Sequence, residues 1–478
     1  MDTTKLIAVI VVVAVVAVGV VVVVGMNNNS SNSDKETIDT ALAVYGNANN
    51  DTKVDQKDID LIQEIIDGKK DKKDYPYADA NNDNAVNKAD IDFVKKIMDK
   101  TTDTIYIKCL DSKGKEMATE VTYPMINIVG IGTNMMPVMI NSGAYKKLVG
   151  IFDYNGYDHV EAALKEMEKQ GLTNFGGAGR KAIPDDIWKN FTDKDAELAA
   201  KGHGIDALFV DHSLGSAITE SHREDMKAAG IAEVRLAVAD PYEDISAAML
   251  MGFLLGGDYE SSARNYAEKS WNVLHDIQDK LSKMPADKKE TFLGITMSYY
   301  ICQNNSTFGQ IAVPVMGIPY YTVNSEFAEK YAGTGSTPMS AIDALSNYAI
   351  KEKLDGKRGI ENIFSNRSID FNIGADQRNP TIIAEWEKDA GKTGFTTDQF
   401  FKDLDCYHNL FYINNLLPGA CKLAYAAACL YPEYYSMDDA NKVVADFAGF
   451  CETMTGATVD NSLFCFGYED YVKAKGSA

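Results

Sequence analysis

The chain has little of what catalysis or nucleic-acid binding draws on. Its 478 residues include six histidines, three tryptophans and seven arginines. No CxxC pair occurs among seven cysteines, which argues against a zinc or iron–sulfur site. H-E-x-x-H is absent. The GIGTNMM loop lacks the third glycine of a dinucleotide fingerprint, and VDHSLGS sets His beside Ser without forming a G-x-S-x-G elbow. An enzyme is therefore not expected. The net charge of −22 leaves no basic surplus to offset phosphates, so nucleic acid is not an expected partner. The cysteines (109, 302, 406, 421, 429, 451 and 465) are odd in number. Cys421 and Cys429 fall on one expected helix, where eight residues span about 12 Å, too far for a disulfide. That pattern suits an anaerobic setting or buried free thiols.

What the chain does have begins with Leu6 to Met26, an uncharged run rich in Val and Ala. Twenty-one helical residues span about 31 Å, near the hydrocarbon thickness of a bilayer. No small-residue cleavage site follows, so residues 1–26 read as an anchor, with a cleaved signal peptide as the alternative. Lys5 is the one basic residue before the run, which favours an inside N-terminus. Residues 27–38 then form an Asn/Ser linker. This arrangement places a single-pass N-terminal anchor in the cell membrane and the bulk of the chain outside.

Next comes a segment that occurs twice. NANNDTKVDQKDIDLIQEII (47–66) and DANNDNAVNKADIDFVKKIM (79–98) share nine of twenty positions at an offset of 32. Loop positions 1, 3, 5, 9 and 12 carry oxygen: Asn47, Asn49, Asp51, Asp55 and Asp58, then Asp79, Asn81, Asp83, Asn87 and Asp90. Position 7 offers a backbone carbonyl, from Lys53 and Ala85. Calcium takes six to eight hard oxygens supplied in this alternating way, so two calcium ions are expected. Position 6, usually glycine, is Thr52 in one copy and Asn84 in the other. Asn tolerates a left-handed turn and Thr does so poorly, which makes the first site the weaker. The closing Asp and the helix after it resemble the dockerin domain of cell-surface and cellulosome-type proteins, over about residues 39–100. The resemblance implies a cohesin-type partner; a calcium-clamped spacer without a partner is the alternative.

From Thr104 the pattern changes. TIYIKCLDSKGKEMATEV alternates about a Lys-Gly turn, as a hairpin does. Short apolar runs follow: INIVGI, KLVGIF, IDALFV, VRLAVA, then TFLGITMSYY, IPYYTV, ENIFSN and NLFYINN, all read as strands. Helical stretches lie between them. Residues 259–284 read as a single helix of about 39 Å. The fold class expected is α/β: two Rossmann-like lobes (104–240 and 286–478) joined by helices at 241–285, preceded by a small all-α calcium-binding domain and a transmembrane helix. The hairpin, INIVGIGTNMMPVMINSGAYKKLVGI, DPYEDISAAMLMGFLLGG and LLPGACKLAYAAACLYPEYY resemble the helix-linked periplasmic-type binding proteins of ATP-driven importers for siderophores, haem and cobalamin, over about residues 104–472. The resemblance implies a metal chelate clamped between the lobes and a membrane permease of the ABC type as partner. By analogy, an anchored binder with a docking module suits an archaeal surface.

Ligands in such lobes meet the carboxyl ends of strands. That rule selects Thr133, Asn134 and Met135, His212 and Ser213, Tyr299 and Tyr300, and Asn414 and Asn415. Arg180 in GGAGRK and Arg367 after ENIFSN join them as cations. Each has a plainer alternative: a satisfied surface histidine, core tyrosines, a loop charge, methionine packing. With so few arginines the ligand is expected to be weakly charged, a hydroxamate-type iron chelate or a corrinoid. The rival function is a ligand-free adhesion or scaffold protein of the same fold.

Overall fold

The computed structural model describes residues 42–132, 134–153, 165, 167–169, 171–177, 181–238, 241–296, 300–302, 315–327, 336–338, 359–367, 375–393, 410–414, 417–447 and 464–476. The apolar run at 6–26 and the linker at 27–38 lie outside them. Among the described residues no helix is long and apolar enough to cross a membrane.

The duplicated segment folds as two loop–helix units, α1 (Gln56–Ile66) and α2 (Lys88–Met98). Ile59, Ile62 and Ile65 recur at helical spacing on α1, and Ile91 and Val94 do so on α2. Both faces close over Ala48, Ala78 and Ala80 in a small core. The module does not stand free. Val44 bridges to Ile107 on β1 (Thr104–Leu110), which pairs antiparallel with β2 (Glu116–Thr122) as the sequence predicts. Leu42, Val44 and Ile97 belong to the main hydrophobic core of the molecule.

The first lobe is a parallel sheet of β3 (Ile128–Ile131), β4 (Leu148–Asp153), β5 (Thr173–Gly177), β6 (Ala207–Asp211) and β7 (Ala232–Leu236) in the order β5-β4-β3-β6-β7. Strand order reverses between β3 and β6, the switch point where α/β sheets open a ligand crevice. The lobe's helices are α3 (Met135–Asn141), α4 (Asp185–Ala200) and α5 (Glu220–Ala229). Then come α6 (Pro241–Leu255) and α7 (Asp258–Leu281), the long helix, 24 residues where the sequence suggests 26. Gly252 lets them touch: a Cβ there would sit 2.3 Å from that of Ala263.

The second lobe is mixed. β8 (Thr291–Thr296), β12 (Asn362–Arg367) and β13 (Leu410–Asn414) run parallel; β9 (Tyr300–Cys302), β11 (Ser336–Pro338) and β14 (Cys465–Gly467) are antiparallel at the flanks. IPYYTV departs from expectation. Only Ile318–Pro319 (β10) is strand, and Tyr320–Val323 (α8) is helical. Pro319 explains the switch, because its fixed φ suits a helix start and it has no N–H for a ladder. The remaining helices are α9 (Arg378–Thr393), α10 (Gly419–Leu430), α11 (Met437–Asp446) and α12 (Tyr468–Gly476). Cys421 and Cys429 do share α10, and Cys109, Cys421 and Cys429 are buried free thiols.

Candidate functional site

Two regions concentrate polar side chains, the duplicated loops and the seam between the lobes. In the second loop the side-chain oxygens are held by the loop's own N–H groups. Asp79 accepts the backbone N–H groups of Asp83 and Asn84 at 3.0 and 2.8 Å. Asn81 and Asp83 bond each other through side chains, and Asp83 accepts from Ala85 N. Asp90 accepts from Asn81 N and Asn87 N. Asn84 adopts φ +73°, the left-handed turn its side chain tolerates. Positions 9 and 12 are also the capping box of α2.

The first loop follows the same plan with two departures. Asn47 turns its Nδ2 onto the carbonyls of Leu42 and Asp51 at 2.8 and 2.7 Å, and its Oδ1 is buried without a partner. Thr52 takes no left-handed turn; position 4 is left-handed in both copies, Asn50 at φ +58° and Asn82 at φ +54°. Asp58 accepts from Asn49 N and Asp55 N, and burial pushes its carboxyl up to about 7. Burial raises Asp90 as well. Among the described residues no three His, Cys, Asp or Glu side chains converge as a metal cage. Each loop therefore offers mixed carboxylate, amide and carbonyl oxygens, a hard donor set that fits calcium in kind.

At the lobe seam the switch point holds Gly132, Asn134, Asp211, His212 and Ser213. Gly132 has φ +118°, and a Cβ there would meet that of Asp211 at 2.4 Å. Asp211 is buried; it accepts Asn134 Nδ2 at 3.1 Å and Ser213 N at 2.9 Å. His212 Nδ1 is buried without a hydrogen-bond partner, 4.0 Å from Asp211. Ser213 is exposed. In the second lobe, Arg367 and Asn414 are paired in register at the ends of β12 and β13. Asn414 is itself buried, its N–H on the Phe464 carbonyl.

Met135 is fully buried in the core, in line with the packing alternative. Thr133, Arg180, Tyr299 and Asn415 lie outside the described residues. Tyr300 opens β9, opposite Thr296.

The sequence reading missed the charges that join the lobes. Asp244 on α6 accepts Tyr266 Oη at 2.6 Å and the backbone N–H of Gly419 at 2.9 Å, tying α6 and α7 to the start of α10. Lys422, one turn into α10, is 5% exposed. Burial pushes its ammonium down to about 8, against the pull of Asp244 and Asp211. Lys422 is the lone charge of an otherwise apolar helix, and that was the available signal; Asp244 sits beside Glu243 in the first turn of α6. Three of the seven arginines serve elsewhere. Arg223 and Arg235 hold Glu233, and Arg264 holds Thr52. Grooves of about 680 Å³ (between α4 and α5) and 730 Å³ (between the hairpin and α5) involve no residue of the second lobe.

No family model and no curated protein sequence matches the chain. Solved structures do. FepB of Veillonella parvula, a TroA-like periplasmic binding protein, aligns at 16% identity over 75% of this chain and 99% of that one, with a TM-score of 0.51. CeuE of Helicobacter pylori, solved with Ni(II) bound, aligns at 15% over 73% and 96%, TM-score 0.45. The molybdate-binding MolA of Haemophilus influenzae aligns at 13% over 74% and 99%, TM-score 0.46. The identities are low and the first alignment alone carries structural weight. Its coverage and the two sheets linked through α6 and α7 agree: the chain has the fold of a TroA-like periplasmic binding protein.

Proposed function

We propose that the chain is the solute-binding component of an ATP-driven importer and captures an iron chelate or related metal complex between its lobes. The observation that carries this reading is the β3/β6 switch point, which supplies Asn134, Asp211 and His212, together with the buried ammonium of Lys422 on the opposite lobe, which feels the charges of Asp244 and Asp211. One ammonium faces two carboxylates there, which suits a weakly charged ligand such as a hydroxamate-type chelate or a corrinoid better than a polyanionic one. Binding, not turnover, is the expected activity, with an ABC permease as the membrane partner. The run at 6–26 would tether the protein outside the cell, on an archaeal surface by analogy.

The duplicated module is read as calcium-responsive. Asp79, Asn81, Asp83, the Ala85 carbonyl, Asn87 and Asp90 would hold the ion in the second copy. Asn47, Asn49, Asp51, the Lys53 carbonyl, Asp55 and Asp58 are their counterparts in the first. Calcium would supply the positive charge that these oxygens lack, ordering the loop. A cohesin-type protein is the partner class that the loop–helix plan suggests.

The test is the absorption spectrum and metal content of the purified protein, followed by melting temperatures with ferric chelates, haem and corrinoids. A coloured, iron- or cobalt-bearing protein, or a ligand that raises Tm with concentration, supports the reading. A colourless protein with an unaltered Tm across the panel favours the adhesion or scaffold role.

A further inference from the structure

The loop of the first copy is built into the binding domain, whereas the second copy meets it through Ile97 and Phe93 of α2 and leaves its loop free of it. Leu42 N donates to the Asp51 carbonyl at 2.9 Å, and Asn47 Nδ2 holds the Leu42 carbonyl at 2.8 Å. These bonds lock the loop to the short extended segment that joins the hairpin. Tyr45 N reaches the Tyr106 carbonyl and Lys108 N reaches the Ala43 carbonyl, both at 2.9 Å. From the other side comes Arg264 of α7, 212 residues away in sequence. Its Nη2 donates to the Thr52 carbonyl at 3.1 Å and its Nη1 to Thr52 Oγ1 at 3.4 Å. Thr52 is 1% exposed. The space among Leu42, Thr52, Met249, Phe253, Glu260 and Arg264 is about 10 Å³, at or below the room one water needs. Nothing comparable holds the second loop, whose Asn82, Asp83, Asn84 and Ala85 are exposed.

We propose that the first copy has become a fixed seam, clamped by Arg264 onto the lobe-linking helix, and that the second copy is the one exchangeable calcium site of the module. The site half of this rests on the calcium reading above; the seam half does not. Physically, the position-6 residue that a cation loop needs in a left-handed turn is here held by a guanidinium in another conformation. The position-1 side chain is turned toward the chain's own carbonyls. A loop so held has little freedom to rearrange around an ion. The second loop keeps both features and faces solvent. The consequence is a module that moves as one body with the long helix and not on a flexible tether.

The experiment uses the full chain in mild detergent. Calcium titration calorimetry of the wild type should give one ion per chain, and Asp83→Ala should weaken it about 100-fold. Arg264→Ala should leave that binding in place. It should also split a single unfolding transition in two and open a new protease-sensitive site between the module and the hairpin. Two ions of matched affinity would overturn the site half, and an Arg264→Ala variant with wild-type unfolding and proteolysis would overturn the seam. A wild type that takes up no calcium would sink the calcium reading while the Arg264 arm still decides the seam. Should Arg264→Ala fail to fold, Arg264→Lys keeps the charge without the forked geometry and should give a partial split.

Discussion

The two copies of the repeat differ far more in surroundings than in sequence. Asn47 and Asp79 occupy the same position, yet Asn47 is wholly buried on backbone carbonyls while Asp79 accepts the N–H groups of its own loop. Thr52 and Asn84 occupy the same position, yet one is clamped by Arg264 and the other turns left-handed in solvent. What both copies share is the helix start. Asp55 with Asp58, and Asn87 with Asp90, form capping boxes of the same geometry. Duplication therefore preserved the local chemistry of loop-to-helix entry. The parts that face outward diverged, one toward packing and one toward solvent.

The sharpest way to break this comparison is to remove a side chain from the exposed loop. Asp83→Ala should lower calcium affinity by about 100-fold, roughly 2.7 kcal/mol, read by calorimetry, since it removes a carboxylate donor and the ordering of Asn81. Position 1 should separate the copies in calcium-free buffer. Asn47→Ala removes two buried hydrogen bonds, leaving two carbonyls without that donor, and should cost about 2 kcal/mol. Asp79→Ala, at a half-exposed site where water can replace the carboxylate, should cost under about 1 kcal/mol. Equal losses by chemical denaturation would mean that the two loops are equivalent.

Titration offers the next contrast. Burial raises Asp58 to about 7 from 3.8, and raises Asp90 in the same direction. A carboxyl that holds its proton more tightly folded than unfolded makes calcium-free stability highest at acid pH, lost as pH climbs from near 4 to near 7. The change should be on the order of 4 kcal/mol. Asp58→Asn should flatten most of that slope and Asp90→Asn less of it, followed by thermal unfolding across that range.

How much of this was legible in the sequence follows from range. The hairpin and the strand–helix alternation are set by neighbours a few residues apart, and they read correctly. The strand-end rule placed Asn134, His212, Ser213, Arg367 and Asn414 at the ends of β3, β6, β12 and β13. It missed Asp211, Asp244 and Lys422, because a charge in VDHSLGS, PYEDISAAML or GACKLAYAAACL shows its role only when the elements it ties are brought together. Met135 is buried in the core, the packing alternative: the rule counts positions after a strand and does not see which face of α3 turns inward. IPYYTV was apolar enough for a strand, but Pro319 set the backbone for a helix. Thr52 looked like a weak turn residue. Its partner is Arg264, and nothing within the loop could announce it.

The smallest expected effect is the most discriminating. If Thr52 were merely a poor turn residue, glycine should repair the first loop, because glycine enters the left-handed region without a Cβ clash. The seam predicts the opposite. Thr52→Gly would lose the Oγ1 contact with Arg264 and loosen a backbone that has no positive φ, costing about 0.5–1 kcal/mol, with no second calcium ion gained. Asn84→Gly, at φ +73°, should be neutral or stabilising by a few tenths of a kcal/mol and leave calcium affinity intact. Paired melting curves and calcium titrations on the two variants separate the cases. A Thr52→Gly chain that binds a second ion without losing stability would return the first copy to the status of a weakened site.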